Sequence, residues 1–318
     1  MDKVMSGQNK NSRFLYYLAN LLKFSVPDAL CRRRLAGILG SLERRDKSSI
    51  RDRVDYYNRI SRPFAPDPNG IPFRFSLAKG QRNYHMDLYE YTRYFDPDLK
   101  VQCRFGDQTD VPAHPTIVKA RPIAGDNANS ILFKLNKIRH FLFVADPRRF
   151  EDKENKLVWR GNAFRESRRK FLAQYHDRER CDVGHAHRGK GDNPWTRERL
   201  SVADQLKCKF VLSMEGNDVA SNLKWILSSN SVCFMAKPRC ETWFMEGRLV
   251  PGRHYVLLAD DYSDLPERID YYSAHAAEAL EIIRNAHAHV DQFRDRETED
   301  LISLLVLKKY FEMSGQWP

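Results

Sequence analysis

The sequence predicts an α/β protein of two domains, and three features predict it. The chain has 318 residues, about twice the size of one compact domain. From about residue 156 onward, short apolar runs alternate with amphipathic stretches of helical length, the pattern of βαβ units on a parallel sheet. Between the halves, Ala145–Asn155 (ADPRRFEDKEN) is dominated by charged and polar residues, as a domain boundary is. The expected domains are 1–150 and 151–318. Hydrophobic residues at 42% and aromatics at 12% supply two packed cores and exclude wholesale disorder. With 15 Gly and 6 Cys, collagen and disulfide scaffolds are excluded as well.

The elements follow in order. Residues 12–60 carry apolar positions at three- and four-residue intervals among charges and read as helices. Arg62–Pro72 (RPFAPDPNGIP) is a loop. Residues 73–102 mix short strand-like and helical pieces. Residues 101–123 read as a strand, a polar turn and a second extended piece, and 129–144 as a short helix leading into a strand. In the second half, KLVWRGNA is a strand and turn, RESRRKFLAQYH a helix, KFVLSMEGND a strand and turn, and VASNLKWILSSN a helix. SVCFMAK and HYVLLADD are strands, and 263–293 is helical. Glu297–Met313 begins with acids and carries its lysines late, matching the helix dipole; it is a helix that returns to pack on the first domain.

Lys plus Arg number 53 and Asp plus Glu 42, a net charge of +11. An anionic partner follows: nucleic acid, anionic lipid or a phosphorylated substrate. No CxxC pair or zinc spacing links Cys31, Cys103, Cys181, Cys208, Cys233 and Cys240, which fits a reducing cytoplasm. No apolar run approaches the ~20 residues of a membrane span. Phe14–Leu22, flanked by Arg13 and Lys23, predicts an amphipathic helix. Packing on the protein's own core is its ordinary use, and lying on a membrane surface is the alternative.

Ligands of α/β sheets bind at the carboxyl ends of strands, so two turns carry the most weight. The first holds Trp159, Arg160, Gly161 and Asn162. An Arg beside a Gly there presents a guanidinium and backbone N–H groups to a phosphate, or is an ordinary turn with a solvated Arg. The second is Glu215-Gly216-Asn217-Asp218, before a helix expected from Val219. That helix start would be an anion site, with Ser221, Asn222 and Lys224 adding side chains; the plainer role for Asp218 is a helix cap. No P-loop or GxGxxG is present. Further on, Lys237, Glu241, Trp243, Glu246, Arg248 and Arg253 read as a loop over a site.

With these stretches in place, the chain resembles glycosyltransferase family 90. That family includes bacterial lipopolysaccharide core glycosyltransferases, eukaryotic protein O-glucosyltransferases and capsule-associated xylosyltransferases. The resemblance runs from about Phe105 to Leu265 through FGDQTDVP, PTIVKARPI, LNKIRHF, VWRGNAF, KFVLSMEGNDVASNLKWILSSNSVCFMAKP, ETWFMEG and HYVLLADDYSDL. It is strongest over Lys209–Tyr255, weak over the first hundred residues, and nearest to the lipopolysaccharide branch.

The resemblance implies a GT-B fold, two Rossmann-like domains facing across a cleft. The C-terminal domain would hold a UDP-sugar as co-substrate and the N-terminal one the acceptor, with inversion and no metal or cofactor. It makes Asp107 the base, with Asp110 the neighbour to exclude. It also implies donor contacts from Trp159, Arg160, Gly161, Glu215, Gly216, Asn217, Asp218, Ser221, Asn222, Lys224, Glu241 and Trp243. Eukaryotic members carry an Arg near the position of Asn222, so the diphosphate contact here is expected to have moved to Lys224 or Arg248. Lys119, Arg121 and Arg139, with Lys137 and His140, are candidates for an anionic acceptor or else a solvated face. The expected function is hexose transfer, glucose or galactose, onto a lipopolysaccharide or other cell-envelope glycan, in the cytoplasm at the inner face of the membrane. The expected partners are the UDP-sugar, the glycolipid or oligosaccharide acceptor, and an anionic membrane in peripheral contact. UDP-xylose or a protein acceptor is the variant reading. A basic nucleic-acid-binding protein is the rival class, but no recognition helix, RRM, KH or zinc signature supports it. Asp96-Pro97-Asp98 has DxD spacing, and Cys181, Asp182, His185 and His187 are candidate metal ligands with no second cluster to complete a site.

Overall fold

A computed structural model describes residues 13–67, 72–74, 81–186 and 193–317. They fall into two compact units. The first comprises residues up to 139, with 239–247 and 293–317. The second comprises 140–238 and 248–292. The first thus gathers two segments from the far end of the sequence.

The first unit opens with helices α1 (Arg13–Phe24), α2 (Asp28–Gly40), α3 (Lys47–Tyr57) and α4 (Arg82–Thr92). Asp46 caps α3 by accepting from the backbone N–H groups of Ser48 and Ser49, two of the donors a helix start leaves unpaired. Strands β1 (Cys103–Arg104), β2 (Thr116–Val118), β3 (Ala120–Pro122) and β4 (Ser130–Leu132) follow, then the short helix α5 (Lys137–His140). β1, β2 and β4 form a parallel sheet in that order. The order of elements in 129–144 is therefore strand then helix, the reverse of the expectation. Ile131, Leu132 and Phe133 are fully buried and take the strand, whereas 141–144 are only half-buried and form none.

The second unit is a five-stranded, wholly parallel sheet built from β5 (Glu154–Gly161), β6 (Cys181–His185), β7 (Cys208–Leu212) and β8 (Val232–Met235), joined by β10 (Val256–Leu257). Helices α6 (Glu166–Tyr175), α7 (Val202–Gln205) and α8 (Leu223–Leu227) lie between successive strands, and α9 (Leu265–Ala274) and α10 (Ala276–Asp291) come after the last. The run Val232–Met235 is buried at every position, as in a strand covered on both faces. Phe210, Leu212, Phe234, Leu172, Ile269 and Ile282 belong to one apolar core. The single helical stretch expected over 263–293 is broken at His275, which leaves the helical region (φ −111°, ψ 61°).

Two segments return to the first unit. β9 (Cys240–Thr242) pairs antiparallel with β3, and α11 (Arg296–Met313) packs against α2, α3 and α4. Leu301, Ile302, Leu304, Val306, Leu307, Tyr310 and Phe311 of α11 are all buried, so this helix is core on several sides. Among the described residues no helix is long and apolar enough to cross a membrane, and the six cysteines are free thiols.

Candidate active site

In the first unit, charged side chains that follow the strands of the parallel sheet come together around Asp107. After β1, Phe105 is buried against Tyr84 and His85, and Gly106 turns the chain at φ +111°, a conformation costly for any residue with a Cβ. Asp107 comes next. After β2, Lys119 directs its Nζ onto Asp107 Oδ1. After β4, Arg139 on α5 places Nη1 3.6 Å from Asp107 Oδ2. The Asp107 side chain is 25% exposed while that of Lys119 is 1% exposed. Burial works to raise the Asp107 pKa, but the hydrogen bond and charge of Lys119, reinforced by Arg139, outweigh it, and the carboxyl is held below its ordinary range. The result is an ionised, half-buried carboxylate with one edge open. Asp110 pairs with Arg104 at 2.6 Å and is 74% exposed.

In the second unit, the strand order β10-β8-β7-β5-β6 reverses direction at β5. The connection out of β5 runs to one side and the one from β6 crosses back, so the crevice at the carboxyl ends of β5 and β7 is a topological switch point. Both turns singled out from the sequence lie there. Gly161 ends β5, and a Cβ on it would sit 2.4 Å from the Trp159 ring, so the glycine lets Trp159 fold under the turn into the core, 2% exposed. Arg160 is held by Asp182 Oδ1 at 2.7 Å and by the carbonyls of Asp182, Trp159 and Glu198. His185, at the end of β6, accepts the Ala163 N–H at Nδ1 (3.0 Å), which puts its ring proton on Nε2.

The turn after β7 runs longer than expected. α8 begins at Leu223, not Val219, and Asp218 does not cap it. Asn222 occupies the cap position with no side-chain cap bond; its amide instead donates to Leu212 O at 2.9 Å, holding 213–222 as irregular chain against the strand end. α8 has five residues, so the long helix start expected at Val219 is replaced by an irregular turn followed by a short helix. Glu215 and Gly216 are half-buried, Asn217 exposed, Asp218 buried, Ser221 half-buried and Lys224 fully buried.

Two arginines that the sequence reading passed over join the turns. Arg168 of α6 donates to Asn162 O (3.1 Å) and Met214 O (2.7 Å), and Arg165 bonds Asn217 Oδ1. Phe164 beside them is 66% exposed. Their signal was present: an i, i+3 pair of arginines opening the helix that follows RGNA.

Three expected contacts sit elsewhere. Arg121 is fully buried, with Nε on Glu241 Oε1 at 2.7 Å and its other nitrogens on the carbonyls of Tyr56, Tyr57 and Ser130. Glu241 is enclosed by Arg121 and by the Tyr56 hydroxyl that donates to it. Trp243 stacks on Tyr57 (3.8 Å between centroids, 8° between planes) and donates Nε1–H to Glu299 at 2.8 Å. All three are interior groups of the first unit, Arg121 on β3 facing Glu241 on β9 and Trp243 just after it, and no open ring face or carboxylate is presented. Arg248 belongs to the second unit.

The DxD residues form a turn, with Asp96 accepting from Asp98 N–H at 2.8 Å. Asp182 is paired with Arg160, and His187 lies outside the described residues. Among the described residues no group of three or more His, Cys, Asp or Glu side chains is placed to hold a metal ion.

These features define an α/β protein with a ligand crevice at the switch point of a parallel sheet and a poised carboxylate in its other unit. Comparison with known proteins narrows the class. Residues 137–312 match the model of Glycosyl transferase family 90. The O-glucosyltransferase LpsA of Dichelobacter nodosus is 42% identical over 292 residues, covering 91% of this chain and 92% of the relative. The chain belongs to glycosyltransferase family 90 and is a glycosyltransferase.

Proposed function

We propose that the chain transfers a hexose, glucose before galactose, from a UDP-sugar to a hydroxyl of a lipopolysaccharide or other cell-envelope glycan, with inversion and without a metal. The observation that carries this reading is Asp107: ionised, partly open, and placed past a strand end by a positive-φ glycine. The acceptor oxygen attacks the anomeric carbon as its proton passes to Asp107, and the bond to the β-phosphate oxygen breaks with its electron pair leaving on UDP. Inversion follows from this single displacement.

The donor is assigned to the crevice between β5 and β7, where the turns 160–164 and 213–218 meet. Arg165 and Arg168 join Arg160 and Lys224 as the cations nearest the leaving diphosphate. The reading includes the GT-B architecture that the family resemblance implies, and a cytoplasmic site of action. Glucose is favoured by the name of the 42% identical relative, an O-glucosyltransferase.

The test is a panel of UDP-sugars read by UDP release, against lipid-linked and free oligosaccharide acceptors, with and without EDTA. UDP-glucose should give the fastest turnover and EDTA no loss. Activity lost to EDTA and restored by Mn²⁺, or turnover with no UDP-sugar, would overturn the reading.

A further inference from the structure

Helix α1 is amphipathic in the inverse sense. Its polar residues face the protein: Tyr16 donates to Asp87 at 2.7 Å, Lys23 pairs with Glu90 at 2.5 Å, and Asn20 is buried. Phe24 packs inward on Tyr89, but the phenylalanine and leucines of the opposite side face water. Phe14 is 72% exposed, Leu22 65%, Leu21 54%, Leu15 46% and Leu18 42%. Positions 14, 15, 18, 21 and 22 share one side of a helix. The expectation that this stretch packs on the protein's own core is therefore not met among the described residues. The helix is held from its polar side, and a continuous Phe/Leu stripe points outward, larger than scattered surface leucines explain.

The charge around the stripe chooses its occupant. Arg13 begins the helix, and Arg32, Arg33 and Arg34 of α2 are exposed. Arg32 lines a cavity together with Tyr89, on whose ring Phe24 of α1 packs at 5.2 Å, which sets Arg32 near the carboxyl end of α1. An apolar stripe with Arg13 at one end of its helix and Arg32 near the other complements the acyl boundary and anionic headgroups of a bilayer.

We propose that the outward face of α1, with Arg13 and Arg32–Arg34, seats the enzyme on an anionic membrane surface. This deepens the proposed function, resting on it for the lipid-linked acceptor, and it is testable without transfer. The full chain would be mixed with phosphatidylcholine vesicles containing phosphatidylglycerol at about a third of the lipid, and bound protein read by flotation. Wild type should float. Leu18→Glu/Leu22→Glu, at exposed positions that leave thermal unfolding unchanged, should lower the partition coefficient more than about tenfold. Arg32→Gln/Arg33→Gln/Arg34→Gln should lower it on anionic vesicles and not on pure phosphatidylcholine. Equal flotation of wild type and the leucine variant, or no flotation of wild type, overturns the proposal. So does a dimer that the leucine variant disperses while vesicles are ignored, or vesicle binding seen only once residues 1–12 are removed. Should no glycan acceptor be glycosylated while flotation behaves as expected, the acceptor reading fails and this surface stands.

Discussion

At the scale of single residues, the proposed base Asp107 is set by its partner Lys119. A general base must be ionised yet able to take a proton, and Lys119 secures the first at the expense of the second by holding the pKa down. Asp107→Asn removes the proposed base while keeping the shape. It should lower kcat by at least about a thousandfold and leave UDP binding near wild type; full activity would take Asp107 out of the mechanism. Lys119→Met keeps the enclosed volume but deletes the hydrogen bond and charge, leaving only Arg139 to oppose burial. The acidic limb of kcat/KM, which for wild type should lie below the ordinary aspartate value of 3.8, should then move to higher pH. An unmoved limb would mean that Lys119 does not tune the base.

At the scale of elements, the parallel strands of the second unit were legible because each is a short apolar run ending in a polar turn, and that pattern also marked the two turns of the crevice. Local pattern could not reveal strand order, and the switch point exists only through it. Arg165 and Arg168 therefore read as ordinary helix surface until β5 and β7 proved to be neighbours. The burial of Glu241 and Trp243 was hidden for the opposite reason. A ring and a carboxylate in a loop look like ligand-binding groups, yet long-range contacts with Arg121, Tyr57 and Glu299 enclose them. α1 was misread because apolar periodicity reports a face without saying which way it points.

Helix α4 yields a pH prediction. Glu90 lies between Lys23 and Lys137, each at 2.5 Å. Burial works to raise its pKa, but the two lysines together lower it to about 2. A folded pKa below the unfolded one stabilises the fold above the unfolded value and loses that stability as pH falls. Its neighbour Asp87 is raised to about 6, chiefly by burial, so protonating it between about 6 and its unfolded value favours the fold. Urea unfolding should thus show stability rising slightly from pH 7 toward 5 and falling below about 4.5. Glu90→Gln leaves two lysines without their partner. It should destabilise at pH 7 by about 3–5 kcal/mol, and the gap to wild type should narrow at pH 3.5. A gap independent of pH would show that Glu90 acts through packing and not through its charge.

For the whole molecule, the +11 charge gathers at several places: arginines at the switch point, Lys119 and Arg139 beside Asp107, and exposed Arg32–Arg34 on α2. The chain also divides its labour by units rather than by sequence halves, since β9 and α11 return to the first unit after the second has begun. Glu299 of α11 shows why that return is stable. It sits in the interior with Arg53 at 2.5 Å, Lys134 at 2.7 Å and the Trp243 Nε1–H at 2.8 Å, so the carboxylate that α11 brings meets two cations and a donor supplied by three other segments. If the proposed donor crevice lies wholly between β5 and β7, a nucleotide should stabilise the unit that carries it. Ligand at a hundred times its Kd adds about 2.7 kcal/mol to the state that binds it. Amide hydrogen exchange with and without UDP should therefore slow most at residues 160–168 and 213–218 and along the strands that lead to them. Little change is expected over β1, β2, β4 and the buried Arg121, Glu241 and Trp243. Slowing at 239–247 with none at the two turns would return the donor to Glu241 and Trp243 and refute the switch-point assignment.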